Sequence, residues 1–545
     1  MSLRIVWLGA LAAAALLAGP ATAGPVIAAP AGKVEGLVEG GALSFRGIPY
    51  AAPPVGDHRW RPPAPPARWR GVRDAGRFGP ACIQPRPTPG VTSIYSEDIG
   101  PTSEDCLSLN IWTPSAKGRA PVIVWIHGGA LVGGTGSTGF YDGARLAAAG
   151  AVVVTLNYRL GVLGYFAHPQ LSAESPAGVS GNYGLLDQIA ALRWVRRNIA
   201  AFGGDPDNVT IAGQSAGALS VTYLMVSPRA RGLFSKAIAQ SAYLISMPEL
   251  KVPRYGAPAW EAAGAYVAGK LKAPDLKALR AMDAQALTDG AFKAGFVPLG
   301  VVDGAVLPRQ PVEAFDRGEQ ARVPILAGFD SGEIRALRFL APTVPATPAD
   351  YDQAIRARYG DLAEDFLRLY PATDLSGSIL AATRDGSYGW TAERLVRAQA
   401  ALGQPAYLYL FDHGYPSADE AGVHAFHGSE IPFMFGTLGR TAPMWPKIPA
   451  TPDETGLSDA MVAYWVSFAR SSQPAAPGAP TWAAYRPGGP YMLFRRGPEP
   501  AMDLMPGMFA LHERAMCRRR AGGLPWTWNV GLASPVLPSP SPGCS

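Results

Sequence analysis

Asn208-Val-Thr-Ile-Ala-Gly-Gln-Ser-Ala-Gly217 is an apolar, β-branched run that breaks off in Gly213-Gln-Ser215-Ala-Gly217. Val209 to Ala212 reads as a buried strand and Ser215 to Met225 as a helix, so the serine of this G-x-S-x-G pattern falls on a sharp strand-to-helix turn. Gly213 and Gly217 serve that turn sterically. Without a Cβ they admit a strained backbone and close strand–helix contact, which lifts the Ser215 hydroxyl out of the sheet top with a helix N-terminus aimed at it. On a chain with 63 glycines the five-residue pattern alone arises readily by chance, so its meaning rests on its flanks and on partners elsewhere.

Working outward, the flanks agree. Upstream, Pro121 to Ile126 is a nearly continuous apolar run, as expected of a strand buried on both faces, and it ends in His127-Gly-Gly129-Ala130. A glycine-rich turn there can present backbone N–H groups to a ligand. Ala151 to Leu156 repeats the strand pattern, and Leu185 to Ile199 has helical spacing. Downstream, Lys236 to Gln240, Val323 to Phe329 and Ala406 to Phe411 read as further strands. The last two lead into Asp330-Ser-Gly-Glu333 and into a loop with His424-Ala-Phe-His427-Gly-Ser-Glu430. This alternation describes an α/β chain with a large, mainly parallel central sheet flanked by helices. The helix-rich stretches 247–322 and 335–399 are expected as inserted cap regions that select substrate. No linker interrupts the chain, so residues 24–521 read as one domain and the Pro/Ser-rich stretch 522–545 as a poorly ordered tail.

A serine hydroxyl is a poor nucleophile at neutral pH and needs a general base, which in turn needs a group to fix its tautomer. Ser215 is followed in the chain by Asp330 or Glu333 and then by His424 or His427, the order Ser, acid, His of α/β-hydrolases. Phe45-Arg-Gly-Ile-Pro-Tyr-Ala51, Glu104-Asp-Cys-Leu-Ser-Leu-Asn110, Trp125-Ile-His-Gly-Gly129, Asn157-Tyr-Arg-Leu-Gly161, Gly181 to Gln188, Phe202-Gly-Gly-Asp-Pro206 and Gly213 to Gly217 add to this. In these stretches the chain resembles a type-B carboxylesterase, of the cholinesterase-like α/β-hydrolase family, from Val34 to about Phe494. The resemblance implies hydrolysis of carboxylic esters through an acyl-enzyme on Ser215, with His427 as base and Glu333 as acid. It also implies an oxyanion hole from the N–H groups of Gly129, Ala130 and Ala216. His424 and Asp330 are left as supporting residues, and His127 as a brace for the oxyanion loop.

The chain departs from that family in several places. Gln214 stands where many relatives carry glutamate, Ala130 replaces the third glycine of the oxyanion loop, and Ala242 and Ile334 replace usual glycines. The loop between Cys82 and Cys106 holds Tyr95 but no tryptophan, so a cation–π site for choline esters is not expected. A specialised detoxifying esterase for a bulky natural-product or pesticide ester, a lipase, and a non-catalytic binding protein are the competing readings. Retention of Ser215, Glu333 and His427 argues against the last.

The rest of the composition sets bounds. Met1 to Ala23 has a short basic start, an apolar run and an A-x-A end, and reads as a cleaved signal peptide for export to the periplasm or medium. Export favours a Cys82–Cys106 disulfide, and Cys517 and Cys544 could pair or stay free. A net charge of +6 on 545 residues, without aromatic-interleaved basic motifs, gives no case for nucleic acid. No later stretch is long and apolar enough to span a membrane, and no metal cluster or dinucleotide loop appears, so a small-molecule ester is the expected partner and no cofactor is expected.

Overall fold

The computed structural model describes residues 22–87, 90, 92–526 and 528–544. The proposed signal peptide therefore lies almost wholly outside the described residues. Among the described residues thirteen strands form one sheet. Its core is the run of parallel neighbours Val152–Leu156, Ala120–Ile126, Gly204–Gln214, Lys236–Gln240, Ile325–Asp330, Ala406–Phe411 and Pro490–Phe494. Antiparallel strands close both margins: Thr22–Ala29, Gly32–Glu39, Ala42–Pro49 and Ser108–Thr113 on one side, Pro498–Met502 on the other.

The central strands are mostly apolar where they cross the core because helices cover both faces. Val122, Ile123, Val124, Trp125 and Ile126 are all fully buried. Tyr183–Asn198 packs one apolar side inward, and all eleven residues of Ala216–Val226, the helix behind Ser215, are buried. A second core on the opposite face gathers Trp125, Tyr409, Trp465 and Phe494 around the long helix Pro452–Ser471. That helix starts on Thr451, whose hydroxyl accepts the Glu454 N–H, with Pro452 at its first turn.

Both cysteine pairs are bonded, Cys82 to Cys106 and Cys517 to Cys544. The expectation of a loose tail fails. Trp526 and Val530 are buried, the Gly531 N–H donates to Tyr359 Oη at 2.9 Å, and the Leu537 N–H donates to Arg358 O at 2.8 Å. Apolar side chains inside the Pro/Ser-rich stretch give it something to bury, which its average composition conceals.

Candidate active site

The strand Gly204–Gln214 ends where the helix Ala216–Val226 begins, and Ser215 joins them at φ +57°, ψ −124°. A non-glycine residue holds such a conformation only when its surroundings enforce it. Here the Ser215 N–H donates to Gln240 O of the neighbouring strand at 3.0 Å, and Ser215 O accepts from Leu219 N–H at 2.9 Å. The glycines on either side are dictated by space: a Cβ on Gly217 would overlap Ile126 O, and one on Gly213 would run into the Gly217 backbone.

The loop after Ala120–Ile126 lies against this turn, for a Cβ on Gly128 would come within 2.9 Å of Gln214 O. Gly129, Ala130 and Leu131 all have positive φ, at 99°, 55° and 60°. Among the described residues the N–H groups of Gly129 and Ala130 have no protein acceptor, and Ala216 opens its helix, where N–H groups lack intrahelical partners. His127 holds the loop from behind. Its Nδ1–H donates to Gly128 O at 2.8 Å, its ring stacks on Tyr158 at 4.5 Å, and Tyr158 Oη donates to His127 O at 2.9 Å. Burial pulls its pKa down to about 4, so the ring is neutral here.

His427 and Glu333 come from loops beyond Ala406–Phe411 and Ile325–Asp330, and His427 Nδ1 is hydrogen-bonded to Glu333 Oε2. With Nδ1–H donating to that carboxylate, Nε2 is the acceptor nitrogen, and Gln214 Nε2 lies 3.2 Å from it and 3.5 Å from Nδ1. Tyr95 Oη donates to His427 O at 2.7 Å, which ties the histidine to the Cys82–Cys106 loop. Ser215, His427, Gly129 and Ala130 line one cavity of about 930 Å³. The competing residues are engaged elsewhere. His424 is bound to Asp419 at 2.6 Å and Asp412 at 3.2 Å, and the latter raises its pKa.

Asp330 lies behind the histidine, its Oδ2 accepting the Gly428 N–H at 2.8 Å while its own N–H donates to Glu333 Oε1 at 3.0 Å. Burial, and after it the charges of Glu430 and Glu333, push Asp330 well above the usual carboxylate range. Burial likewise raises the equally buried Glu430, whose Oε1 accepts from Gln240 Nε2 at 2.9 Å. Sequence reasoning noted Tyr95 and Gln214 only for what they replace, and it missed Tyr388 and Trp528 on the cavity wall. Both reach the site across large gaps in the chain, though two tryptophans in a Pro/Ser-rich tail were a usable signal.

Among the described residues no group of three or more His, Cys, Asp or Glu side chains could hold a metal, and no helix is long and apolar enough to cross a membrane. A sequence model described as the carboxylesterase family matches residues 23–505. The chain is 41% identical over 481 residues, 85% of either chain, to fumonisin B1 esterase of Sphingopyxis macrogoltabida. It is 38% identical over 465 residues to the para-nitrobenzyl esterase of Bacillus subtilis (strain 168), covering 83% of this chain and 91% of that one. A solved Geobacillus stearothermophilus carboxylesterase superposes with a TM-score of 0.75 at 34% identity, over 91% of this chain and 99% of that one.

Proposed function

The chain belongs to the carboxylesterase family, and from that premise we propose that it is an exported serine esterase for bulky carboxylic esters, working through Ser215, His427 and Glu333. The observation that carries the triad reading is the hydrogen bond from His427 to Glu333 at the wall of the cavity that Ser215 also lines. In the proposed reaction His427 Nε2 takes the Ser215 proton as Oγ attacks the ester carbonyl. Glu333 stabilises the imidazolium that results. The tetrahedral oxyanion is held by the N–H groups of Gly129, Ala130 and Ala216, where losing one donor costs on the order of 100- to 1,000-fold in rate. His427 returns the proton to the departing alcohol. Water then attacks the acyl-enzyme by the same route.

Two observations support the bulky-ester reading over a short-chain generalist. The cavity of about 930 Å³ is at the upper end for a small-molecule site and is walled by aromatic residues. Fumonisin B1 esterase and, at 34% identity over 498 residues, the phenmedipham hydrolase of Pseudarthrobacter oxydans are each named for one specific compound. Two disulfides on one chain support export, since such bonds persist in oxidising compartments.

The test is hydrolysis of p-nitrophenyl esters from acetate to octanoate by the mature protein and by Ser215→Ala. Turnover by wild type with the variant near background is the expected result. Equal rates from both would remove Ser215 from the chemistry, and a wild type inert to the esters and to a covalent serine probe would favour a binding protein.

A further inference from the structure

We propose, on the esterase reading above, that the C-terminal segment is part of the substrate site, with Trp528 as a specificity-determining wall fastened by the Cys517–Cys544 disulfide. The segment lies beyond residue 505, where the match to the family model ends. Trp528 nevertheless lines the same cavity as Ser215 and His427. Its ring stands 4.9 Å from Tyr243 and 5.6 Å from Tyr388, and Tyr388 stands 5.2 Å from the His427 ring. A continuous aromatic surface therefore runs from the tail to the histidine.

The two tryptophans of the segment divide the work. Trp526 is fully buried against Tyr255 at 4.7 Å and anchors the chain. Trp528 stays half-buried at the cavity, with an apolar face left for a ligand. Val530 presses on Gly386, where a Cβ would meet it at 2.8 Å, so the tail is packed against the π-turn Asp385–Gly389 that carries Tyr388. Arg519 is hydrogen-bonded to Ser534 Oγ, and the disulfide closes the loop from Cys517 to Cys544 around all of these contacts. The wall is thus held in place before substrate arrives, which spares the binding step the cost of ordering it.

The experiment compares wild type, Trp528→Ala, Trp528→Phe and Cys544→Ser on the acetate-to-octanoate p-nitrophenyl series, with thermal unfolding of each. In Trp528→Ala the octanoate-to-acetate ratio of kcat/KM should fall about tenfold through KM, the factor that loss of one aromatic contact of this kind corresponds to. Trp528→Phe should recover most of the ratio, and Cys544→Ser should lower it in the same direction. If Trp528→Ala does not fold, the other two variants carry the same test. A uniform change across the series, no change, or a rise in the ratio would each overturn the proposal. Active wild type with an insensitive ratio counts against this inference alone. Wild type inert to esters and to a fluorophosphonate serine label takes the esterase reading down with it.

Discussion

Asp330 ends the strand Ile325–Asp330 and Glu333 follows after two residues, both fully buried, and only their environments tell them apart. Glu333 meets His427 Nδ1 directly, whereas Asp330 accepts the Gly428 N–H, and burial with the charges of Glu430 and Glu333 pushes its pKa well above the usual carboxylate range. An amide oxygen can still accept a backbone N–H, but an amide cannot replace a carboxylate that must steady an imidazolium. Glu333→Gln should therefore lower kcat by about 10³- to 10⁴-fold, the loss seen when an amide forces the wrong histidine tautomer. Asp330→Asn should stay within about threefold of wild type at pH 7, because the acceptor that meets the Gly428 N–H survives as an amide oxygen. Steady-state kinetics on one ester would decide between them. The opposite ranking would move the acid to Asp330. From the sequence both carboxylates stood equally well placed after their strand, and only the family resemblance favoured Glu333. What separates them is a contact to a histidine 94 residues away, which no local pattern encodes.

Strands set the site's geometry, and the strands were the most legible elements. Lys236–Gln240 and Ala406–Phe411 match the bounds read from their apolar runs, and Ala120–Ile126, Val152–Leu156 and Ile325–Asp330 do so within two residues. Central strands buried on both faces leave an uninterrupted apolar signature. The C-terminal end of the sheet left none: Pro490–Phe494, last of the parallel run, and Pro498–Met502 beside it are short, proline-bearing and partly exposed. The turn at Ser215 depends on the closeness of the strands, since the Gly217 Cα lies against the carbonyl of Ile126 on the adjacent one. Gly217→Ala should therefore cost about 3 kcal/mol or more by forcing a backbone apart, a larger penalty than ordinary overpacking. Urea unfolding of Gly217→Ala beside Gly439→Ala, where an added methyl meets no neighbour, checks it. Equal midpoints would mean that the strand–helix contact yields without cost.

At the scale of the whole molecule the cavity stands between two loops closed by disulfides. Tyr95 enters from the Cys82–Cys106 loop and Trp528 from the Cys517–Cys544 loop, and each touches the His427 surroundings, the first by a hydrogen bond and the second through Tyr388. The cysteines themselves were legible in the sequence. That both loops converge on one site was not, because the convergence belongs to the folded sheet rather than to any segment. Separations of 24 and 27 residues correspond to about 3–4 kcal/mol each in loop-closure entropy of the unfolded chain. Opening either bond should thus lower global stability and, separately, free one wall of the site. In Cys82→Ser/Cys106→Ser the urea midpoint should fall by the equivalent of that energy. Ester turnover should also decline at temperatures where the variant is still folded by circular dichroism, because the loop that carries Tyr95 loosens before the sheet does. Activity and circular dichroism that fall together would show instead that packing alone holds Tyr95 against His427. The disulfide would then act only on the unfolded chain.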